Sequence, residues 1–266
     1  MEQVTRYRTI WISDVHLGTR ACNADLLLDF LKHTESDTLY LVGDIIDGWR
    51  LKKSWYWPQA HNDVIQKLLR KARKGTKVLY IPGNHDESAR QFVGQNFGAV
   101  DVAEDWVHET ADGRRFLVIH GDQFDVVVKY AKWLAHIGDK AYELLLHLNT
   151  VVNLVRRRLG FSYWSLSAYM KARAKKAVEF VGRFELALVE EARRRGVDGV
   201  VCGHIHTAEL KDMQGMVYVN DGDWVESCTA LVEHADGRLE ILHWADIVAA
   251  RDAATTQPAL KPRQAA

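Results

Sequence analysis

Five short segments hold most of the side chains that could do chemistry, and each contains acidic, histidine or amide groups. In chain order they are Asp14-Val15-His16, Gly43-Asp44-Ile45-Ile46-Asp47, Gly83-Asn84-His85-Asp86, His120-Gly121-Asp122 and Gly203-His204-Ile205-His206. Each segment follows a run of apolar residues typical of a β-strand. Because strand ends in an α/β sheet open into a shared crevice, we expect the five segments to converge on one site.

Carboxylate and imidazole groups without thiolates are the ligands that Mn, Fe, Zn and similar divalent ions take in proteins. Asp14 and His16 are two positions apart, as are His204 and His206, so each pair points to one side of an extended chain. The set is too large for one tetrahedral ion, and a carboxylate shared between two ions would account for the excess. Two ions about 3.5–4 Å apart hold a phosphoryl group and activate water, so the segments predict phosphoester chemistry.

Each segment taken alone also has an ordinary structural interpretation. An Asp-x-His at a strand end is more often a polar pair than a metal site, and Gly83-Asn84 tolerates the positive φ of a turn. The metal interpretation therefore depends on all five segments occurring together and in this order. Cys202 is interpreted as a small buried core residue, with a metal contact as the alternative. Other histidines, such as His33, His61 and His147, are interpreted as surface or core residues.

The elements that would position these segments alternate between strand and helix at the start of the chain. Apolar runs at 7–13, 38–42 and 77–81 predict strands, and 25–32 and 59–74 predict helices. The later pattern is richer in β runs, at 100–110, 115–120, 197–202, 216–219, 225–233 and 238–243, with Asp112-Gly113 as a hairpin signal. This order predicts the α/β class.

A helical and basic segment interrupts the β pattern. Residues 124–195 place apolar side chains at spacings of three and four, which predicts two or three helices. Residues 122–183 carry eleven Lys and Arg against five Asp and Glu, a net charge of +6 in a chain whose total is zero. We therefore predict a core at 1–121 and 184–249, a helical insertion at 122–183 and a flexible tail at 250–266.

Composition excludes several classes of protein. The 35 Lys and Arg balance the 35 Asp and Glu, which argues against a protein that coats nucleic acid, so no nucleic-acid partner is expected. The three cysteines, Cys22, Cys202 and Cys228, form no disulfide framework and suit a reducing compartment. No stretch reaches the roughly 18 apolar residues that a membrane-spanning helix needs. These features predict a cytoplasmic protein, attached at most to a membrane surface.

The five segments resemble the signature of the calcineurin-like metallophosphoesterases: D-x-H, G-D-x-x-D, G-N-H-[DE], H and G-H-x-H, between Asp14 and His206. The resemblance implies a β-sandwich flanked by helices, with a two-metal site at one edge. It implies one ion held by Asp14, His16, Asp44 and His206, and a second held by Asp44, Asn84, His120 and His204. A non-enzymatic scaffold of this fold is disfavoured, because every ligand position is filled.

The same resemblance implies two catalytic roles. His85 would face the phosphate, where it stabilises charge or protonates the leaving oxygen. Asp47 would hold the other nitrogen of that imidazole and fix its tautomer. The alternative for Asp47 is a carboxylate that only caps a turn.

Within the superfamily, the chain resembles the UDP-2,3-diacylglucosamine diphosphatase group of lipid A synthesis in residues 13–18, in residues 41–47 and in the helical insertion. That resemblance implies Mn²⁺ as the metal, the inner face of the membrane as the location and the insertion as a lid. The substrate would be a UDP-diacylglucosamine-like lipid nucleotide, cleaved to UMP and an acyl sugar phosphate. His85 stands where that group typically has Arg, so a phosphodiesterase or phosphatase acting on a soluble nucleotide or other phosphoester is the alternative.

Candidates for substrate binding are less specific. Lys171 and Lys175 lie one helical turn apart beside an apolar stripe, and an anionic phosphate or headgroup would relieve their repulsion. Asp125 is a candidate hydrogen-bond acceptor for a sugar or base. The alternative for the lysines is a solvated helix face. The aromatic run 55–57, with Lys52 and Lys53, forms either a binding rim or the packing beneath a loop.

Overall fold

Two β-sheets form the framework of the computed structural model, which describes residues 4–127 and 181–256. The strands are β1 (Thr5–Ile12), β2 (Thr34–Val42), β3 (Lys77–Ile81), β4 (Val100–Val102), β5 (Trp106–Glu109), β6 (Arg115–Val118), β7 (Gly199–Cys202), β8 (Glu209–Met213), β9 (Met216–Asn220), β10 (Thr229–Glu233) and β11 (Leu239–His243). The first sheet has the order β11-β10-β1-β2-β3-β4, and the second has the order β5-β6-β7-β9-β8.

The described residues also form helices. They are α1 (Ala24–His33), α2 (Gly48–Lys53) and α3 (Gln59–Arg73), two 3-10 helices (Glu87–Phe92 and Asp122–Val127), a helical stretch at 181–194 and a C-terminal helix (Trp244–Thr256). Helix α1 buries Leu27, Leu28, Phe30 and Leu31 in a core that also includes residues of β1, β2, β10 and α3. None of the helices within residues 4–127 and 181–256 is both long enough and apolar enough to cross a membrane.

A second core lies between the two sheets. It contains Trp11 and Tyr40 from the first sheet and Phe116, Val201 and Val219 from the second, all almost fully buried. Strands buried on both faces read as near-continuous apolar runs rather than alternating ones, which is why residues 38–42 and 77–81 were detectable. The two packed sheets with flanking helices confirm the predicted fold class.

Parallel pairing places the carboxyl ends of neighbouring strands together. In the first sheet β1 pairs with β2, and β2 pairs with β3, all in parallel. In the second sheet β7 is parallel to both β6 and β9. The loops that follow these strands therefore leave each sheet at one end, and they carry the five candidate segments.

Three features differ from the sequence expectations. The β run predicted at 100–110 is divided into β4 and β5, which lie in different sheets. Just after β4, the N–H of Ala103 still donates to the Tyr80 carbonyl of the first sheet at 3.0 Å, and the chain then enters the second sheet. Strand β8 was missed because it is polar and partly exposed. The tail predicted from 250 is helical through Thr256, because Trp244 Nε1 and Arg251 donate to Asp29 at 2.9 Å and fasten this helix to α1.

The chain divides into two compact units, Met1–Asp122 with Ala192–Ala266 and Gln123–Glu191. The insertion predicted at 122–183 stays a prediction, because most of it lies outside the described residues.

Candidate metal centre

The five candidate segments are brought together by the loops that follow five strands. Each of these loops begins within three residues of the end of its strand. The residues concerned are Asp14 after β1, Asp44 after β2, Asn84 after β3, His120 after β6 and His204 after β7.

Backbone hydrogen bonds tie these loops to one another. The N–H of His16 donates to the Asp44 carbonyl at 2.9 Å, and the N–H of Gly203 donates to the His120 carbonyl at 3.3 Å. The first contact lies at the end of the first sheet, and the second lies at the end of the second sheet. The candidate side chains are consequently held by backbone contacts between their own loops.

Five of the seven predicted ligands have left-handed backbone conformations. Their φ angles are 48° at Asp14, 54° at His16, 52° at Asp44, 72° at His204 and 53° at His206. Non-glycine residues are uncommon in this region, and such strain concentrates at functional sites. The backbone itself therefore marks these loops as specialised.

The side chains form two principal clusters of metal-ligand type. One consists of Asp14, His16 and His206, and the other of Asp44, His120 and His204; the ligand atoms within each cluster lie within 4.8 Å of one another. In the first cluster, His206 Nε2 lies 3.0 Å and His16 Nε2 3.8 Å from Asp14 Oδ1.

Asp44 is placed between the two clusters. Its Oδ1 lies 3.5 Å from His120 Nε2, and its Oδ2 lies 3.9 Å from His16 Nε2. The carboxylate is fully buried. One oxygen therefore faces each cluster, as a ligand shared between two ions would require.

Several buried atoms of these residues have no hydrogen-bond partner. This matters because buried polar atoms in proteins are nearly always hydrogen-bonded. The atoms are Asp14 Oδ1, His16 Nε2, Asp44 Oδ2, Asn84 Oδ1, His120 Nε2 and His206 Nε2. His206 Nε2 and Asp14 Oδ1 are close to each other but lack hydrogen-bond geometry. Oxygen and imidazole nitrogen atoms left in this state fit two divalent cations.

Other contacts orient the candidate ligands. Asp14 Oδ2 accepts hydrogen bonds from Ser13 Oγ and from the N–H of His204, both at 2.7 Å, which leaves Oδ1 directed at the cluster. His120 Nδ1 donates to the Val42 carbonyl at 2.8 Å, so its Nε2 is the nitrogen available as a ligand. Such outer contacts fix the ring tautomer and the ligand direction in metal sites.

Gly83 leaves the space in which this cluster closes. A Cβ atom at this position would overlap Asp44 Oδ1 and His120 Nε2. A side chain here would therefore displace two candidate ligands of one cluster, and glycine is required.

The buried carboxylates create a negative potential. Burial alone would lower the pKa of His120, but Asp44 and then Asp14 raise it to about 10. The pKa of His16 is raised to about 9 against burial, by Asp14 and Asp47. Burial opposes ionisation of Asp44, yet His120 and His16 hold its pKa below the usual range. A potential that stabilises positive charge on imidazoles also attracts divalent cations.

A third group of side chains adjoins the two clusters. Asp47 Oδ2 lies 3.2 Å from His16 Nδ1 and 3.0 Å from His85 Nδ1, and His85 Nε2 lies 4.0 Å from Asp44 Oδ2. The other oxygen of Asp47 accepts from the N–H of Arg50 at 2.8 Å and caps α2. Asp47 therefore caps α2 and lies close to two imidazoles, its role towards His85 stays a prediction, and its contact with His16 was not foreseen.

Asp86 organises the backbone of the centre, a role that the sequence analysis missed. Its carboxylate accepts from the N–H groups of Gly83 at 2.6 Å, Ile45 at 2.8 Å, and Asp44 and Ile46 at 3.3 Å. It therefore joins the loops after β2 and β3. The signal was present, since Asp86 ends the Gly-Asn-His-Asp segment, but nothing in the spacing separates an organising carboxylate from a ligand.

Asp221 was also missed. It is fully buried, and its Oδ1 lies 2.6 Å from Ser13 Oγ, which lies 2.7 Å from Asp14 Oδ2. Because Ser13 has one hydroxyl proton, it can donate to only one of these carboxyl groups. Burial, and then the charge of Asp14, raises the pKa of Asp221 well above the usual range. A protonated Asp221 would donate to Ser13 Oγ, and the hydroxyl of Ser13 would then be free to donate to Asp14 Oδ2.

The remaining predicted residues are only partly described. Lys171 and Lys175 lie outside the described residues, and so does the side chain of Asp125, whose backbone is in the 3-10 helix Asp122–Val127. Cys202 is buried, with Sγ 3.6 Å from the Tyr218 hydroxyl, as expected of a core residue. Trp55 is 76% exposed, so it is not packed beneath a loop.

Comparison with known proteins identifies the family. The model of the calcineurin-like phosphoesterases matches residues 7–208. The chain belongs to this family. It is similar to two proteins named UDP-2,3-diacylglucosamine hydrolase. That of Chromohalobacter salexigens is 28% identical over 81% of this chain and 88% of the relative, and that of Xanthomonas axonopodis is 26% identical over 86% and 96%.

A solved structure, Vacuolar Protein Sorting 29 from Cryptosporidium parvum, is similar with a TM-score of 0.43 and 11% identity, over 88% of this chain and 94% of that one. The family match and the hydrolase relatives make the protein a metal-dependent phosphoester hydrolase. The assignment of individual residues as ligands or catalytic groups stays a prediction.

Proposed function

We propose that the protein hydrolyses the pyrophosphate bond of a UDP-diacylglucosamine-like lipid nucleotide and releases UMP and an acyl sugar phosphate. The observation that carries this proposal is the pair of clusters sharing Asp44, in a chain similar over most of its length to UDP-2,3-diacylglucosamine hydrolases. A pyrophosphate places several anionic oxygens together, and two cations side by side match that charge.

The proposed ligand sets follow the two clusters. Asp14, His16, Asp44 and His206 would hold one ion, and Asp44, Asn84, His120 and His204 would hold the other. Bound divalent ions, Mn²⁺ in this proposal, would neutralise phosphoryl oxygens and lower the pKa of water towards neutrality.

His85 is the proposed catalytic group of the chain itself. Its Nε2 lies 4.0 Å from Asp44 Oδ2, so the ring stands beside the carboxylate proposed to be shared by the two ions. Its Nδ1 lies 3.0 Å from Asp47 Oδ2 without hydrogen-bond geometry, and a carboxylate this close would stabilise a charged imidazole. A charged ring would donate from Nε2, so it could stabilise charge on the phosphate or protonate the leaving oxygen, whereas a neutral ring with its proton on Nδ1 would present only an acceptor.

The remaining parts of the proposal concern the substrate and its location. The insertion at 122–183 would act as a lid, with Asp125, Lys171 and Lys175 contacting the sugar, base or phosphates. A basic segment beside apolar positions would also suit anionic lipid at the inner face of a membrane, where we place the protein as a peripheral enzyme of the cytoplasm.

The deciding experiment offers two substrates to the purified full-length protein with Mn²⁺. UDP-2,3-diacylglucosamine and bis-p-nitrophenyl phosphate are supplied separately, and products are identified by mass. We expect UMP and the acyl sugar phosphate from the first substrate, at a kcat/KM well above that for the second. Hydrolysis of the small diester alone would overturn the lipid substrate but not the hydrolase class. The Asp44→Asn protein serves as the control for a contaminating hydrolase.

The alternative is a phosphodiesterase or phosphatase of a soluble nucleotide. His85 is the observation that favours it, because the lipid enzymes that this chain resembles typically have Arg at the position. UDP-N-acetylglucosamine separates the two proposals, since it has the same pyrophosphate and base without acyl chains. Equal kcat/KM for this compound and the lipid would support the alternative, whereas a strong preference for the lipid would contradict it.

A further inference from the structure

Trp49 occupies a fixed position beside the candidate metal centre. It is the second residue of α2, a helix that starts directly after Asp47 and is capped by that side chain. The N–H of Gly48 also donates to the His85 carbonyl at 3.0 Å. The backbone that carries Trp49 is therefore attached to two residues of the proposed catalytic machinery.

The indole of Trp49 lies against the imidazole of His85. The ring centroids are 4.3 Å apart and the planes are tilted by 36°. His85 also makes an edge-to-face contact with His16, with centroids 4.7 Å apart. A row of three rings therefore leads from a predicted ligand to Trp49.

Trp49 remains 41% exposed despite this contact. A large aromatic side chain can contribute much binding energy to a ligand when one part of the ring packs against the protein and another part is open to solvent. The held face here contacts the group proposed to face the phosphate. A planar group attached to that phosphate would meet the indole.

The helix that carries Trp49 is exposed and rich in cations. None of the residues of α2 is buried, and Arg50, Lys52 and Lys53 on this helix are exposed. Tyr56, seven residues after Trp49, has the guanidinium of Arg20 5.0 Å from its ring centre. Acyl chains need a continuous apolar groove, whereas an exposed aromatic ring beside cations suits a base joined to phosphates.

We propose that the exposed face of Trp49 stacks on the nucleobase of the substrate, so that the enzyme selects phosphoesters that carry a nucleoside. This inference rests on the proposed function and adds a substrate-binding residue to it. The base would be held by the indole, and the phosphate attached to it would lie beside His85. Trp49 would thus position the nucleoside without taking part in bond cleavage.

Stacking of a base on an aromatic side chain predicts a measurable preference. Its usual strength corresponds to about tenfold or more in affinity. The matched probes are UMP and ribose 5-phosphate, which share the sugar and phosphate and differ in the base. Their dissociation constants are measured by titration calorimetry on the full-length protein with Mn²⁺, for wild type, Trp49→Ala and Trp49→Phe.

We expect wild type to bind UMP about tenfold or more tightly than ribose 5-phosphate. Trp49→Ala should abolish that preference and leave the affinity for ribose 5-phosphate unchanged, while Trp49→Phe should retain most of it. Phe97→Ala is the control, because Phe97 is also an exposed aromatic residue and contacts Phe92 rather than His85. Circular dichroism checks the fold of each variant, and Trp49→Phe keeps the test valid if the alanine variant is unstable.

An unchanged ratio of the two affinities in folded Trp49→Ala would overturn the stacking role, and so would equal binding of both probes by wild type. These outcomes leave the proposed hydrolysis of the lipid nucleotide untouched, because that is measured by its products. Conversely, if Trp49 gives a preference for UMP but the protein does not cleave UDP-2,3-diacylglucosamine, the proposed lipid substrate is wrong and the stacking role of Trp49 stands.

Discussion

The two ends of strand β2 both bury ionisable groups, but they satisfy them differently. Just beyond the carboxyl end, Asp44 is fully buried beside other predicted ligands. Its Oδ2 has no hydrogen-bond partner within the described residues. At the amino end, the buried Lys71 of α3 donates a hydrogen bond to the carbonyl of Thr34, the first residue of β2. At the carboxyl end, buried polar atoms are available to bind a cation. At the amino end, a buried ammonium group attaches helix α3 to the strand.

This difference separates a site from a structural contact. Around Asp44 the backbone is strained at several positions, and positive imidazoles would stabilise the carboxylate. Around Lys71, burial first and then the charge of Lys67 lower its pKa to about 8, although Glu35 opposes the shift. Burial of a charge is therefore not evidence of function by itself. What marks the site is that opposite charges, orphaned atoms and strained backbone occur together.

The largest expected effect follows from replacing Asp44, the carboxylate between the clusters. Asp44→Asn should lose bound metal and nearly all activity, because the charge that faces both clusters is removed. Metal content is measured by mass spectrometry alongside kcat/KM. Asp37→Asn, an exposed acid on the same strand, is the matched control. If Asp44→Asn keeps two ions per chain, the shared-ligand assignment is wrong.

His85 tests whether the adjoining group of side chains acts in chemistry rather than in metal binding. His85→Ala should keep the metals and lower kcat by about 10²-fold or more, as expected for loss of a positioned acid or charge-stabilising donor. The exposed His243 provides the control substitution. Loss of metal in folded His85→Ala would instead make this residue a ligand or a support of one.

A smaller effect is expected from the buried acid behind Asp14. Asp221→Ala should weaken metal binding by about 10–100-fold, the usual effect of losing an outer partner of a ligand. Asp221→Asn should remain close to wild type, because its amide can still donate to Ser13 Oγ. Metal dissociation constants for the two variants decide between a neutral and an ionised Asp221. Equal weakening in both would contradict the neutral acid.

The residues of the centre were predictable where the signal was local. Asp14, Asp44 and His204 each follow a strand whose apolar residues can be read in sequence, and parallel strand ends converge for topological reasons. The same logic predicted the α/β class. It failed at residues 100–110, because nothing local shows that the chain changes sheets after Val102.

The supporting contacts were not predictable, because they join distant positions. Ser13 and Asp221 are 208 residues apart, and the carboxylate of Asp86 contacts backbone about 40 residues away. No spacing rule relates such pairs. The left-handed conformations of Asp14 and Asp44 were equally hidden, because glycine rather than aspartate or histidine is the usual signal for positive φ.

The smallest effect on activity is expected at the other end of β2, where Lys71 should act on stability alone. The pKa of Lys71 is about 8 in the folded protein, lowered by burial first and then by Lys67, against an ordinary value of 10.5. Between pH 8 and 10.5 the unfolded chain therefore holds the proton that the folded chain has released, so this residue makes stability rise with pH across that window. Below pH 8 both states are protonated, and the folded state bears the full cost of the buried charge.

Lys71→Met should consequently flatten the rise in unfolding free energy between pH 8 and 10.5, whereas the exposed Lys53→Met should leave that slope as in wild type. Urea unfolding at a series of pH values measures the slope directly. The hydrogen bond to the Thr34 carbonyl is lost in the variant, which lowers stability by a similar amount at every pH and so leaves the slope informative. Metal content and kcat/KM should be unchanged, because Lys71 lies at the opposite end of β2 from Asp44. A variant with the wild-type slope would show that Lys71 is not the group that titrates, and a loss of metal would remove the distinction between the two ends of the strand.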